Sequence, residues 1–115
     1  MKRPLAYITA PWTGDEIENR DKAARYCRAV YDAGYSPICP VLFQPAFLKD
    51  DVPQEVRDRT DMANELLRRR KLLVVCGKSA DDEVKADIAL AKHMHIFATT
   101  LEGVVSVDGT ARETN

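Results

Sequence analysis

The chain has 115 residues, which is enough for one domain with a hydrophobic core and too few for two. Its apolar fraction of 45% and charged fraction of 30% are those of ordinary globular proteins, and its net charge is −1. A chain with so little net charge lacks the basic field that would hold a nucleic-acid polymer or an anionic membrane surface.

No stretch of the sequence has the length of a membrane span, since the longest uninterrupted apolar run covers only residues 72–76. The cysteines are far apart and form no Cys-x-x-Cys pair, which argues against a disulfide framework or a zinc site. We therefore predict a single cytoplasmic domain over residues 1–115, with a frayed tail at 110–115 and without a metal or cofactor.

The first predicted strand covers residues 6–10 and ends at Pro11, because proline cannot donate a hydrogen bond to a sheet. Two-residue alternation puts Tyr7 and Thr9 on one face of this strand. The strand leads into a loop of small, hydroxylated and aromatic residues that ends at Gly14. Since ligands of open parallel sheets bind at the carboxyl ends of the strands, we expect this loop to line a binding crevice.

Helical and strand-like patterns alternate through the middle of the chain. Residues 16–33 have apolar positions at helical spacing and are followed by Gly34, a residue typical of helix ends. A short strand is predicted at 36–39 and a second helix at 53–70. The segment between them, residues 41–52, is too apolar for a solvated linker, so we expect an ordered, functional loop there.

The last third of the chain continues the alternation. A continuous apolar strand at 72–77 is typical of the middle of a parallel sheet, and a helix at 79–93 follows it. A fourth strand is predicted at 96–98 and a fifth, short one at 103–107. These elements predict an α/β fold, a three-layer flavodoxin-like or Rossmann-like sandwich with a mainly parallel sheet of four to five strands.

Asp87 is the unusual residue of the third helix, because it falls within the apolar arc of that helix, between Leu90 and Ala91. A carboxylate that faces a core is costly unless it is paired, hydrogen-bonded or held at a site that uses it. Its side chain leans toward the helix N-terminus, and so toward the crevice. The simpler interpretation, an Asp at the edge of the buried face with a hydroxyl or backbone partner, remains open.

Other candidate residues also have two interpretations. Tyr7 fits an ordinary core tyrosine or a phenol that orients a carboxylate, and Trp12 fits a plug for the end of the sheet or a ring that stacks on a base. Asp61 and Asn64 lie one turn apart on the second helix and fit either solvated positions or ligand contacts. No Gly-x-Gly-x-x-Gly or Walker loop is present, which disfavours a dinucleotide or P-loop site.

A set of short segments, spread over residues 5–98, has a recognisable order and spacing. They are Ala-Tyr-Ile-Thr-Ala-Pro-Trp-Thr-Gly-Asp at 6–15, Gly-Tyr-Ser-Pro-Ile-Cys-Pro at 34–40, Pro-Ala-Phe-Leu-Lys-Asp-Asp at 45–51, Leu-Leu-Val-Val-Cys-Gly at 72–77 and Val-Lys-Ala-Asp-Ile-Ala-Leu-Ala-Lys at 84–92. Together they resemble the nucleoside 2-deoxyribosyltransferase-like superfamily, and within it the small bacterial and phage proteins of the DUF4406/DUF7768 type.

The resemblance implies a carboxylate on the helix after the third strand that attacks the anomeric carbon of a 2′-deoxyribosyl group. It also implies a first-strand tyrosine that positions this carboxylate and an aspartate that protonates the departing base. By position these roles fall to Asp87, Tyr7 and Asp61. The remaining contacts to sugar or base would come from Thr9, Ala10, Pro11, Trp12, Thr13, Gly14, Asn19, Gly77, Ser79 and Val84.

The predicted function is N-glycoside cleavage or deoxyribosyl transfer on a nucleoside or nucleotide derivative, since a carboxylate can trap an oxocarbenium-like centre. Asp87 stands where the superfamily has Glu, and a nucleophile displaced by about 1 Å can lose on the order of a hundredfold in rate. The acidic residues 81–83 replace a glycine-containing turn and would repel a 5′-phosphate. The alternative is a nucleotide-derivative binding or sensing module that has lost its chemistry. The apolar loop at 43–48 and the shared sites of the superfamily predict a homodimer or higher homo-oligomer.

Overall fold

The computed structural model describes residues 3–105. Short turns of 3₁₀ helix at Pro40–Leu42 and Gln44–Ala46 lie between the second strand and the second long helix, and residues 101–105 are helical. The longer elements are β1 Leu5–Thr9, α1 Glu16–Asp32, β2 Ser36–Ile38, α2 Pro53–Arg68, β3 Leu72–Val75, α3 Asp82–His93 and β4 Phe97–Thr100.

The fifth strand predicted at 103–107 is wrong over its first three residues, which are helical. The Thr100 hydroxyl accepts a hydrogen bond from the Gly103 backbone N–H at 3.1 Å, as an N-cap residue does, and this starts a helical turn directly after β4. Val104 is then buried in the core. Residues 106–107 and the predicted frayed tail at 110–115 lie outside the described residues.

The four strands form one sheet in the order β2-β1-β3-β4, and every neighbouring pair is parallel. The chain places β2 on one side of β1 and then crosses to place β3 on the other side. Where the strand order reverses in this way, the loops after the two central strands diverge and leave a crevice at their carboxyl ends. The predicted α/β, Rossmann-like fold is confirmed, with a parallel sheet of four strands within the described region.

Helices cover both faces of this sheet. Ala6 and Ile8 of β1 point to the face that packs against α1 and the helical turn at 101–105. Tyr7 of β1 and Leu73 of β3 point to the opposite face, which packs against α2 and α3. Crossovers between parallel strands are almost always right-handed. The connection from β1 to β2 runs one way along the sheet and the connections to β3 and β4 run the other way, so α1 lies on one face and α2 and α3 lie on the opposite face. The result is a three-layer sandwich.

Aspartate caps fix the starts of the two helices that border the crevice. The Asp15 carboxylate accepts a hydrogen bond from the Glu18 backbone N–H at the start of α1. The Asp81 carboxylate accepts one from the Val84 N–H at the start of α3. The sequence predicts this second start at Ser79, which instead lies exposed in the loop before the cap.

Two further properties of residues 3–105 bear on the sequence predictions. No helix in this region is long and apolar enough to cross a membrane. The three cysteines are free thiols, with Cys39 and Cys76 buried and Cys27 half-buried.

Candidate functional site

A cavity of about 860 Å³ lies at the carboxyl end of β1. This volume is within the roughly 300–1,000 Å³ usual for small-molecule sites. One wall comes from β1, the loop after it and the start of α1, and another from α3. The segment between β2 and α2, together with one side of α2, completes the lining. Of the predicted site residues, those that line the cavity are Tyr7, Thr9, Trp12, Gly14, Asn19 and Asp87.

Asp87 and Thr9 meet on the wall of this cavity. The Thr9 hydroxyl, at the end of β1, donates a hydrogen bond to Asp87 Oδ2 at 2.6 Å, although 78 residues separate the two positions. Such a short O–H···O⁻ distance is typical of a strong, charge-assisted bond. The Asp87 side chain is half-buried, and its burial raises the pKa of the carboxyl above the ordinary value, while the Thr9 bond acts in the opposite direction. The Asp87 carboxylate is therefore held through Oδ2, partly shielded from water, beside the cavity.

The raised pKa of Asp87 predicts how the stability of the folded protein depends on pH. The native state holds the Asp87 proton more tightly than the unfolded chain, so stability is lost as the pH rises from the unfolded pKa through the native one. Asp87→Asn should therefore stabilise the protein at pH 7, by roughly the 0.5–2 kcal/mol usual for one stabilising substitution. The gain should vanish near pH 3, below the ordinary Asp pKa of about 3.9. Thermal denaturation at the two pH values measures it, and an equal gain at both would contradict the prediction.

Tyr7 is the buried polar group next to this pair. Its side chain is 5% exposed, it lines the cavity, and its hydroxyl has no hydrogen-bond partner among residues 3–105. Burial raises the pKa of the phenol, and the negative charge of Asp87 raises it further, so the hydroxyl keeps its proton and remains a donor. The group that holds Asp87 by a hydrogen bond is Thr9, whereas Tyr7 offers an unused donor to the cavity. Its predicted orienting role stays a prediction.

The loop after β1 is held by the Asn19 side chain. Asn19 Oδ1 accepts a hydrogen bond from the Gly14 N–H at 3.0 Å, and Asn19 Nδ2 donates to the Gly14 carbonyl at 2.9 Å. This pair of bonds uses both ends of the amide, so Asn19 shapes the loop. Trp12 packs against the core at the end of the sheet and also lines the cavity, and its stacking on a base stays a prediction.

Removing the Asn19 amide should loosen this loop. Asn19→Ala deletes two hydrogen bonds, each worth about 0.5–1.5 kcal/mol net, so we expect a loss of about 1–3 kcal/mol in unfolding free energy. Amide hydrogen exchange at Gly14 should become faster as well. Asn19→Asp keeps the acceptor and loses the donor, and it should give an intermediate effect. Unchanged exchange at Gly14 in Asn19→Ala would rule out this role.

The model of one family, described as "Domain of unknown function (DUF7768)", matches residues 4–100. The chain belongs to the DUF7768 family. No curated protein matches it.

Among solved structures, the DUF7768 chain is similar to the 2-deoxyribosyltransferase of the psychrotolerant bacterium Bacillus psychrosaccharolyticus. The TM-score is 0.69 at 9% sequence identity, and the match covers 84% of this chain and 70% of the transferase. At so low an identity the likeness concerns the fold. It supports the fold that the sequence resemblance implies.

Several predicted site residues of the DUF7768 chain are not part of the cavity lining. Asp61 is exposed and outside the lining, although its neighbours Thr60 and Asn64 on α2 belong to it. Each helical residue turns about 100° from the last, so the side of α2 that carries Thr60 and Asn64 excludes Asp61. The other residues outside the lining are Ala10, Pro11, Thr13, Gly77, Ser79 and Val84.

Two of these residues have structural roles. Val84 is fully buried in the core, and its backbone N–H is bonded to the Asp81 cap. Gly77 has a φ of 90°, and a Cβ at this position would come within 2.9 Å of Pro11 Cδ. Glycine at 77 therefore lets the loop after β3 pass close to the loop after β1.

Most of the far wall of the cavity was not predictable from the sequence. Gln44 is 3% exposed, and its Nε2 donates to the Arg59 carbonyl at 3.1 Å, which ties the segment before α2 to that helix. Arg59 forms an ion pair with Asp50 at 2.8 Å. The sequence did predict an ordered loop at 41–52, but its irregular pattern gave no means of choosing side chains. The lining residues found only in the structure include Pro40, Val41, Gln44, Pro45, Leu48, Lys49, Asp50, Arg59, Thr60 and Glu83.

Proposed function

We propose that the DUF7768 chain is an enzyme that cleaves an N-glycosidic bond or transfers a deoxyribosyl group, with the Asp87 carboxylate as nucleophile. The observation that carries the proposal is the half-buried Asp87 carboxylate, fixed by Thr9 on the wall of a cavity of nucleoside size. Titratable groups whose pKa is shifted by burial and that lie beside a cavity are typical of functional sites, which favours a chemical use for Asp87. The fold shared with a 2-deoxyribosyltransferase supports a nucleoside as the kind of substrate.

The proposed reaction proceeds in two displacements at the anomeric carbon. Thr9 engages Asp87 Oδ2, and Oδ1 has no hydrogen bond from residues 3–105, so Oδ1 is the attacking oxygen. It forms a bond to the anomeric carbon while the C–N bond breaks, and the electron pair of that bond stays with the base. Water or a second base then attacks the same carbon and releases Asp87, as in retaining glycosidases.

Two other residues of the cavity would act on the substrate without forming bonds to it. The unused Tyr7 hydroxyl is a donor for a sugar or carboxylate oxygen, and the Trp12 ring offers a flat apolar surface beside the cavity. Asn19 would act indirectly, because its amide holds the loop that carries Trp12.

The test is an exchange assay with 2′-deoxynucleosides and a second base, followed by chromatography of bases and nucleosides. Release of base, or formation of the new nucleoside, supports the proposal when Asp87→Ala abolishes it. No turnover, or turnover that Asp87→Ala leaves unchanged, would overturn it.

A second candidate function is a nucleotide-derivative binding or sensing module. The short Asp87 side chain favours it, because the Thr9 bond at 2.6 Å holds the carboxylate close to β1. Calorimetry against a panel of nucleosides and nucleotides distinguishes the two functions. Tight binding without product favours the module, and absence of binding excludes it.

The proposed enzyme is further predicted to be a homo-oligomer. Leu42, Phe43 and Phe47 are exposed on the segment between β2 and α2, which also lines the cavity, and 57% of Phe47 is accessible. An exposed apolar group of this kind is typical of interaction surfaces. Sedimentation velocity at micromolar concentration should therefore give a dimer or larger species, and Phe47→Ser should shift it toward the monomer. A monomer for the unmodified chain would contradict the prediction.

A further inference from the structure

The cavity carries an excess of negative charge, although the chain as a whole has a net charge of only −1. Its lining includes two basic side chains, Lys49 and Arg59, and Arg59 is already paired with Asp50 at 2.8 Å. Lys49 is exposed and forms no ion pair within residues 3–105. The acidic side chains of the lining other than Asp50 are Asp15, Glu16, Glu83 and Asp87. A cleft lined mostly by one sign of charge concentrates ligands of the opposite sign.

This acidity extends to the reacting end of the cavity. The negative charges of Glu83 and Asp81 act on Asp87, where they add to the effect of burial on its pKa. Glu83 acts on Tyr7 too, after burial and Asp87. The negative charge of Glu83 therefore acts on two walls of the site, on Tyr7 of β1 and on Asp87 of α3.

Neither bordering helix offers the usual site for a phosphate. A helix N-terminus binds phosphate through free backbone N–H groups. Here the Asp15 carboxylate occupies the start of α1 and the Asp81 carboxylate occupies the start of α3, each as an acceptor for a backbone N–H. A phosphate at either helix would displace a cap and face that carboxylate.

The charge of the departing base decides whether the reaction needs an acid. A neutral base that leaves with the bonding electron pair becomes an anion unless an acid protonates it. Asp61, the acid implied by the family resemblance, lies outside the cavity. A base that already carries a positive ring nitrogen leaves as a neutral molecule and needs no such acid.

A ligand is also indicated by an unsatisfied polar group. Tyr7 is 5% exposed and lines the cavity, and its hydroxyl has no partner within residues 3–105. Buried hydroxyls are normally hydrogen-bonded, so we expect a ligand to supply an acceptor for the Tyr7 hydroxyl. A sugar oxygen supplies one without bringing negative charge into the acidic site.

We infer that the substrates are N-glycosides of a cationic base, such as a quaternised pyridine or purine, that carry no phosphate. The inference rests on the proposed function. Asp87 Oδ1 forms the bond to the anomeric carbon as the C–N bond breaks, and the electron pair neutralises the ring nitrogen. Water then displaces Asp87 from that carbon. The water oxygen keeps one proton as the new sugar hydroxyl and releases the other proton to solvent. The products are the free sugar, the neutral base and one proton.

The experiment compares three probes: nicotinamide riboside, its 5′-monophosphate and inosine. Each rate is divided by the spontaneous rate, because pyridinium glycosides are inherently labile. We expect kcat/KM for nicotinamide riboside to exceed that of the other two by about tenfold or more, and added salt to reduce the difference. Glu83→Gln should lower this preference mainly through KM. Asp21→Asn, which removes an exposed acid on α1 outside the cavity, should leave it unchanged.

The outcomes separate this inference from the proposed function. Equal or faster turnover of inosine or of the monophosphate overturns the cationic class and leaves N-glycoside cleavage intact. If no probe is turned over but 2′-deoxynucleosides react in the exchange assay, the inference is overturned and the proposed function stands. If neither assay gives turnover, the proposed function fails, and calorimetry with the same probes decides the ligand class. Preferential binding of nicotinamide riboside then supports the inference, and equal or absent binding overturns it.

Discussion

Asp87→Asn is expected to reduce glycosyl transfer by about 10⁴-fold or more, the scale of loss seen when a catalytic nucleophile is removed. The amide has nearly the same shape as the carboxylate and can still accept the Thr9 hydrogen bond, so the cavity should keep its form. It lacks the negative charge that traps the anomeric centre. Steady-state release of base, measured for both proteins at several substrate concentrations, gives the ratio of kcat/KM.

Thr9→Val is the matched control for the loss of charge. It removes the hydroxyl that donates to Asp87 and keeps the carboxylate, with little change in volume. We expect a smaller loss than in Asp87→Asn, since the nucleophile is present but less well held. If Asp87→Asn retained full activity while its fold was intact, Asp87 would not be the nucleophile and the proposed mechanism would be wrong.

Leu67→Ala is expected to lower the unfolding free energy by about 2–5 kcal/mol, the usual cost of truncating a fully buried Leu. Leu67 lies near the end of α2 with 0% exposure and packs in the cluster that also contains Tyr7, Leu73 and Ala91. A loss of this size is a large part of the roughly 5–15 kcal/mol that stabilises an ordinary domain. Denaturation by urea, monitored by circular dichroism, measures the change.

Met62→Ala provides the comparison on the same helix. Met62 is 41% exposed, so its truncation leaves no closed cavity and should cost less than about 1 kcal/mol. The difference between the two variants isolates the contribution of packing from the helix propensity of the site. Similar losses in both would mean that α2 does not hold the sheet through Leu67.

The element order was predictable because each element has a strong local signal. The apolar run at 72–77 gave the central strand β3, and the helical spacing at 16–33 with Gly34 gave α1. The signal was weakest where a few residues of mixed character follow a strand. At 103–105 the alternation looked like a fifth strand, but the Thr100 hydroxyl caps a helical turn and Val104 packs into the core. The Thr100 cap and the burial of Val104 favour a helix at 103–105, which the local sequence pattern could not distinguish from a strand.

The candidate site was predictable only for the wall built from β1 and α3. Asp87 was identified from its place in an apolar arc, and Tyr7 and Thr9 from their shared strand face. The pairing of Asp87 with Thr9 was not predictable, because the two positions are 78 residues apart and either side chain has several possible partners. The acid role of Asp61 stays a prediction. Asp61 is exposed and outside the cavity lining, and which side of α2 faces the cavity depends on tertiary packing that no local pattern specifies.

The sequence by itself determined the parallel α/β architecture and the presence of a half-buried carboxylate on the third helix, because periodicity and burial are encoded locally. Only the tertiary structure decided what surrounds that carboxylate. The Thr9 bond, the loop held by Asn19 and the wall that includes Gln44 and Arg59 arise from contacts between distant segments. The charge of the cavity likewise depends on which acids face inward, and that is set by how α1, α2 and α3 pack on the sheet.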